Sequence, residues 1–165
     1  MNIHSYTFWE NSILVYSKYG QPLRIYLNRD SGKPYARKKV QTVALRWVKH
    51  TGIYLGHDDN GTHWFAHNHT NNGTVVLANH HEFSQGEVLH SYPIDCNRPP
   101  RQVIQNILQQ GINGKPYDWS DYNCQTATNL ACNGTSVSED ASAGKWLLGG
   151  TALLAALLII PKLVK

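Results

Sequence analysis

A thiol and an imidazole carry the chemistry that this sequence can offer. Cys124 follows Asn123 where the loop Tyr117-Asp118-Trp119-Ser120-Asp121-Tyr122 gives way to a helical pattern running to about Ala131. A thiol in the first turn of a helix sits beside unpaired backbone N–H groups and the positive end of the helix dipole, both of which favour the thiolate. The same N–H groups can receive an oxyanion, and Asn123 suits the N-cap position. Beside an imidazole, such a thiolate attacks an acyl carbonyl, and the imidazolium then protonates the leaving group. Eight of the nine histidines fall between His50 and His90. His57, His80 and His81 read as surface or turn residues. His50 heads the segment His50-Thr51-Gly52-Ile53-Tyr54-Leu55-Gly56, whose alternation predicts a buried strand. Alone it would read as an ordinary edge histidine; the presence of Cys124 makes it the candidate base. Cys132 reads as a buried structural thiol, and Cys96, in a loop beside Asn97-Arg98-Pro99-Pro100, as a weaker nucleophile.

The elements that must position this pair are short strands followed by helices. Ile13–Tyr16 and Leu23–Leu27 predict strands around Gly20-Gln21-Pro22, and Asp30–Pro34 predicts a loop. Val40–Leu55 is rich in β-branched and aromatic residues. His63–His69 and Thr74–Ala78 predict two strands joined through Asn71-Asn72-Gly73, and Glu87–Tyr92 a further one. On the first of these, residues 63, 65, 67 and 69 share a face. Val103, Ile104, Ile107 and Leu108 then have helical spacing after Pro99-Pro100, with Gly111 as the expected stop. No internal repeat is present. Together these elements predict an α+β domain over residues 1–132, a polar mobile linker over 133–144, and an apolar C-terminal segment over 145–165.

His50 to Gly56, then Phe65-Ala66-His67, then a helix, then Tyr117 and Asn123-Cys124 opening another helix, form an ordered set of motifs. This order resembles the circularly permuted NlpC/P60 papain-like proteins. It is most similar to their lecithin:retinol acyltransferase (LRAT-like) and phospholipase/acyltransferase branch, the H-box/NC proteins. The resemblance covers about Val43 to Ala131. It implies an antiparallel sheet packed on helices, with Cys124 as nucleophile, His50 as general base and His67 as the residue that orients the His50 ring; a partner of that kind fixes the tautomer of a base. His63 and His69, on the same strand face, are rivals for that third role. Asn123 and Tyr117 are oxyanion or orienting candidates. The chain departs from the branch at two places. The family's Asn-Cys-Glu-His-Phe is here Asn123-Cys124-Gln125-Thr126-Ala127, which bears on substrate class. The interval from His50 to His67 is lengthened around Asp58-Asp59-Asn60-Gly61, which bears on the third residue.

The resemblance implies a membrane-associated hydrolase or acyltransferase that forms a thioester on Cys124, acting on lipid acyl esters and requiring no cofactor. Two other enzyme or non-enzyme readings stand beside it: a peptide or peptidoglycan amidase of the wider group, and a non-catalytic H-box/NC membrane adaptor. A zinc site on His67 and His69, with His80-His81 or His90, lacks an acidic ligand or a Cys-x-x-Cys to accompany it.

Composition limits the remaining choices. The chain has 165 residues, 41% of them hydrophobic and 16% charged, with a net charge of +4. That describes a globular chain with a core and excludes a disordered one. Arg37, Lys38 and Lys39 read as a solvated basic turn, too small for a nucleic-acid-binding stripe. Three cysteines with no tight spacing argue against a disulfide framework and for a reducing compartment. Of four Asn-x-Thr sequons, at Asn60, Asn68, Asn72 and Asn133, the three that are Asn-Gly read as turn chemistry, and without an export signal none is expected to carry a glycan. Trp146–Ile160 is uncharged and flanked by Lys145, Lys162 and Lys165. It predicts a tail anchor, with the catalytic domain on the cytoplasmic side, and its Gly149, Gly150, Ala152, Ala155 and Ala156 suit close helix packing in an oligomer.

Overall fold

The computed structural model describes residues 1–41, 46–118 and 121–138; the side chains of 38–41 and 46–48 lie outside that description. The expected membrane anchor over 145–165 and all of the linker beyond Ser138 also fall outside it. Among the described residues no helix is long and apolar enough to cross a membrane.

The chain forms strands β1 (Ile3–Phe8), β2 (Ser12–Ser17), β3 (Pro22–Tyr26), β4 (Pro34–Gln41), β5 (Arg46–His57), β6 (His63–His69) and β7 (Thr74–Asn79). Helix α1 (His80–Ser84), strand β8 (His90–Ser91), helix α2 (Pro100–Asn113) and helix α3 (Cys124–Asn133) follow. This is the α+β architecture expected. Strands run in the order β1-β2-β3-β5-β4-β8, with β6 paired to β5 and β7 to β6. The pairings are antiparallel throughout.

The two faces of the sheet carry different loads because side chains alternate along each strand. On β5, Ile53 and Leu55 join Ala66, Val75 and Leu77 in the main core with Val103, Ile104, Ile107 and Leu108 of α2 and Ala127 and Ala131 of α3. Each of the buried Val, Leu and Ile side chains contributes about 1.5–3 kcal/mol. Thr51, on the same face, meets Thr128 of α3 at 3.0 Å between hydroxyls. The alternate residues of β5 turn toward α1. There Tyr54, Phe65, Ala78 and Phe83 form a second, aromatic cluster.

Several elements differ from expectation. Gly111 does not stop α2. It is buried inside the helix, where a Cβ would lie 2.7 Å from Ile3 Cδ1 and 2.8 Å from the Val75 carbonyl oxygen, so it lets α2 approach β1 and β7; the helix ends instead at Gly114, φ 63°. The expected strand Glu87–Tyr92 shrinks to His90–Ser91, the two residues that reach Ala36 and Tyr35 on β4. His80 and His81 lie on the surface as expected but open α1 rather than a turn, under a capping box in which Asn79 Oδ1 accepts from Glu82 N–H and Glu82 Oε2 accepts from Asn79 N–H. The basic run is no solvated turn either: residues 37–39 belong to β4, and Arg37 is buried.

The cysteines require a further correction. Cys96 and Cys132, 36 positions apart, form a disulfide. Distant spacing hid the pair, because it is the packing of α2 on α3 that brings the loop before α2 to the C-terminal half of α3. The linker is corrected at its start as well. Gly134 caps α3 at φ 77°. Val137 then accepts at its carbonyl from Asn129 Nδ2, and Ser138 is buried against Asn123 and Gln125. Residues 134–138 therefore run back along α3 to its beginning. Ten helical residues rise about 15 Å, a distance five extended residues can cover.

Candidate active site

Helix α3 begins at Cys124 because Asn123 caps it. Asn123 adopts an extended backbone, and its Oδ1 accepts from Thr126 N–H at 3.1 Å. Its Nδ2 donates to Ser138 Oγ at 2.9 Å, and Ser138 Oγ donates in turn to Gln125 Oε1 at 2.9 Å. The side chain that the sequence offered for oxyanion binding is thus committed to the helix start. Cys124 is the cysteine outside the disulfide and is buried. Its sulfur lies 3.7 Å from the Lys49 carbonyl oxygen, which accepts from the thiol in its protonated form. Lys49 immediately precedes His50, so the helix start meets β5 at the residue pair where the imidazole stands.

His50 Nε2 lies 2.8 Å from His67 Nδ1, across β5 and β6, with the rings edge-on. Burial pushes His67 down to about 3, and the neighbouring His69, Arg37 and the chain's amino terminus push in the same direction. A neutral His67 makes the pair directional. If Nδ1 of His67 accepts, Nε2 of His50 donates, and Nδ1 is then the basic nitrogen of the His50 ring. Once His50 is an imidazolium, both its nitrogens are donors and only this arrangement satisfies the contact.

Gly52 makes the approach possible. A Cβ at that position would lie 2.9 Å from the Ala66 carbonyl oxygen, from His67 Cβ and from Phe83 Cε2. Phe83, fully buried on α1, packs against both imidazoles with ring centroids 5.7 Å from His50 and 5.2 Å from His67. Gly56 serves the strand differently. It has φ 144° at the irregularity between Tyr54 and Gly56, and a side chain there would run into the Tyr26 carbonyl.

The other sequence candidates divide. His63 pairs its Nδ1 with the Tyr54 hydroxyl at 2.7 Å and lines an aromatic hollow with Tyr35, Phe65, His80 and Leu89. His69 stands beside His67, ring centroids 5.3 Å apart, and its Nδ1 accepts from Asn71 N–H. It lines a cleft with His67, Val76, His81 and Glu82. Of the three, His67 is the one placed against His50. Tyr117 is half-buried. Burial, then the Cys124 and Asp118 charges, push its hydroxyl up to about 12, so it is a neutral donor near the thiol. Among the described residues no three or more His, Cys, Asp or Glu side chains are grouped to hold a metal ion.

Arg37 escaped the sequence reading. It pairs directly across from His50 in the β4–β5 ladder and is 5% exposed. Its signal was the alternation of Tyr35, Arg37 and Lys39 on a strand whose partner carries His50, and a reading of local charge alone passes over that. No family model, curated protein or solved structure matches the chain.

Proposed function

We propose that this protein is a papain-like thiol acyl hydrolase or acyltransferase of the permuted NlpC/P60 type, with Cys124 as nucleophile, His50 as base and His67 as the orienting residue. The single observation that carries the proposal is the 2.8 Å contact of His50 Nε2 with a neutral, buried His67, on the strand whose Lys49 carbonyl touches the Cys124 sulfur. In the first step the Cys124 sulfur attacks the acyl carbonyl and its proton passes to Nδ1 of His50. In this reading the backbone N–H groups at the start of α3 and the Tyr117 hydroxyl receive the oxyanion. Collapse expels the alcohol or amine, which takes the proton from His50, and leaves a thioester on Cys124. Water or a second acceptor then releases the acyl group. His67 holds the His50 tautomer throughout.

Lipid acyl esters are the proposed substrates, met at a membrane to which residues 145–165 tether the domain. The hollow on the His50 face of the sheet, apolar at Tyr35, Phe65 and Leu89 and polar at Asn28, Asp30 and His80, is the proposed seat of the acyl group. Incubation of the full chain with phosphatidylcholine vesicles, followed by intact-mass and peptide mass spectrometry, tests this. The expected result is an acyl adduct on Cys124, absent in Cys124→Ser and reduced about 100-fold or more in rate in His50→Gln. An adduct formed with a muropeptide and not with lipid would replace the lipid substrate by an amide. No adduct with either, together with full biological effect of Cys124→Ser, would leave the adaptor reading.

A further inference from the structure

Arg37 is a buried cation whose Nε finds no hydrogen-bond partner among the described residues. Burying a guanidinium with one of its N–H groups unpaired is costly, so such a group calls for a compensating negative charge or a task. Its place in the ladder is opposite His50. The next residue back on β5, Lys49, touches the Cys124 sulfur through its carbonyl.

We propose that Arg37 is a positioning residue that holds Cys124 in its ionised form, the guanidinium on β4 supplying the positive charge that the thiolate at the start of α3 requires. The proposal rests on Cys124 as the nucleophile. Other groups around the sulfur pull in both directions. His50 on β5, once protonated, favours the thiolate, as do the N–H groups of the first turn of α3. The Lys49 carbonyl oxygen favours the thiol. His67 on β6 stays neutral, and Tyr117, in the loop before α3, also stays neutral and can donate. Glu87, before β8, and the Cys124 charge both act on Arg37, raising it against the lowering effect of burial. Among these groups Arg37 is the cation whose charge does not depend on pH in the working range. It therefore favours the thiolate–imidazolium state, in which the proton that leaves Cys124 rests on His50 until the leaving group takes it.

The rate of Cys124 carbamidomethylation by iodoacetamide, followed against pH on the full chain in detergent, reads this directly. Cys96 and Cys132 are joined, so the reagent reports one sulfur. Arg37→Gln is expected to move the midpoint of the profile upward by about one pH unit or more, and Arg37→Lys to restore most of the shift. Coincident profiles for the wild type and a folded Arg37→Gln overturn the proposal, whether or not activity toward acyl substrates falls. Should Arg37→Gln fail to fold, Arg37→Met, which keeps an unbranched side chain without the charge, takes its place: an upward move of the midpoint supports the proposal and a profile coincident with the wild type overturns it. No acyl substrate is needed, so failure here is distinct from failure to trap the acyl adduct.

Discussion

The His50–His67 contact makes a demand on protonation that can be measured without any substrate. His67 is neutral in the fold, down at about 3, while in the unfolded chain it titrates near its ordinary 6.5. Between those values the unfolded state binds the extra proton, so stability is fully present above about 6.5 and is lost as pH falls toward about 3. His67→Gln is expected to flatten this part of the pH–stability curve, which in the wild type falls by up to about 1.4 kcal/mol per pH unit from this group. Chemical denaturation at several pH values checks it, and equal slopes for the two proteins would mean that His67 charges within the fold. At this scale the sequence was informative about Cys124, because an Asn before a Cys at a helix start has a local meaning. It was informative about His50 only in company with Cys124. It could not choose among His63, His67 and His69, since all three share a strand face and the choice is made by the register Ile53↔Ala66 and Tyr54↔Phe65. Arg37 was misread because charge runs look solvated until the partner strand is known.

Elements decide whether those residues can meet, and Gly52 is the tightest point. It is the strand position two beyond His50, and it is bare because His67 and Phe83 occupy the space above it. Gly52→Ala is expected to cost about 1–3 kcal/mol through overpacking and to reduce acylation of Cys124 well beyond what that loss of stability explains. Thermal unfolding and single-turnover kinetics on the same preparation separate the two effects; normal kinetics in a destabilised variant would show that the His–His contact tolerates displacement. The strands β2, β3, β6 and β7 were legible from alternation and turn residues. Helix α1 was not, although Asn79 and Glu82 carry the capping-box spacing, because five residues leave no periodicity to detect. Gly111 was read as a terminator for the same reason that it is needed: the missing side chain marks either a stop or a close approach, and the neighbour that decides, Ile3, is more than a hundred positions earlier.

At the scale of the molecule, the Cys96–Cys132 bond ties the approach to α2 to the end of α3, beside Arg98, whose guanidinium donates to the Leu130 and Ala131 carbonyls. Replacing both cysteines by serine is expected to lower stability by about 2–4 kcal/mol while leaving Cys124 alkylation at saturating reagent unchanged. Denaturant unfolding with and without reductant measures it, and a wild type indifferent to reductant would show the bond to be energetically idle. Cysteine count could not reveal this pair, because an odd thiol of a different kind, Cys124, was counted with it. Ser138 has a consequence of another sort. The chain doubles back along α3, and Ser138 is pinned beneath Asn123 and Gln125. A mechanical load applied through Ser138 would therefore be felt first at the turn that presents the Cys124 sulfur, so that tension on the backbone and the setting of that atom share one point of attachment.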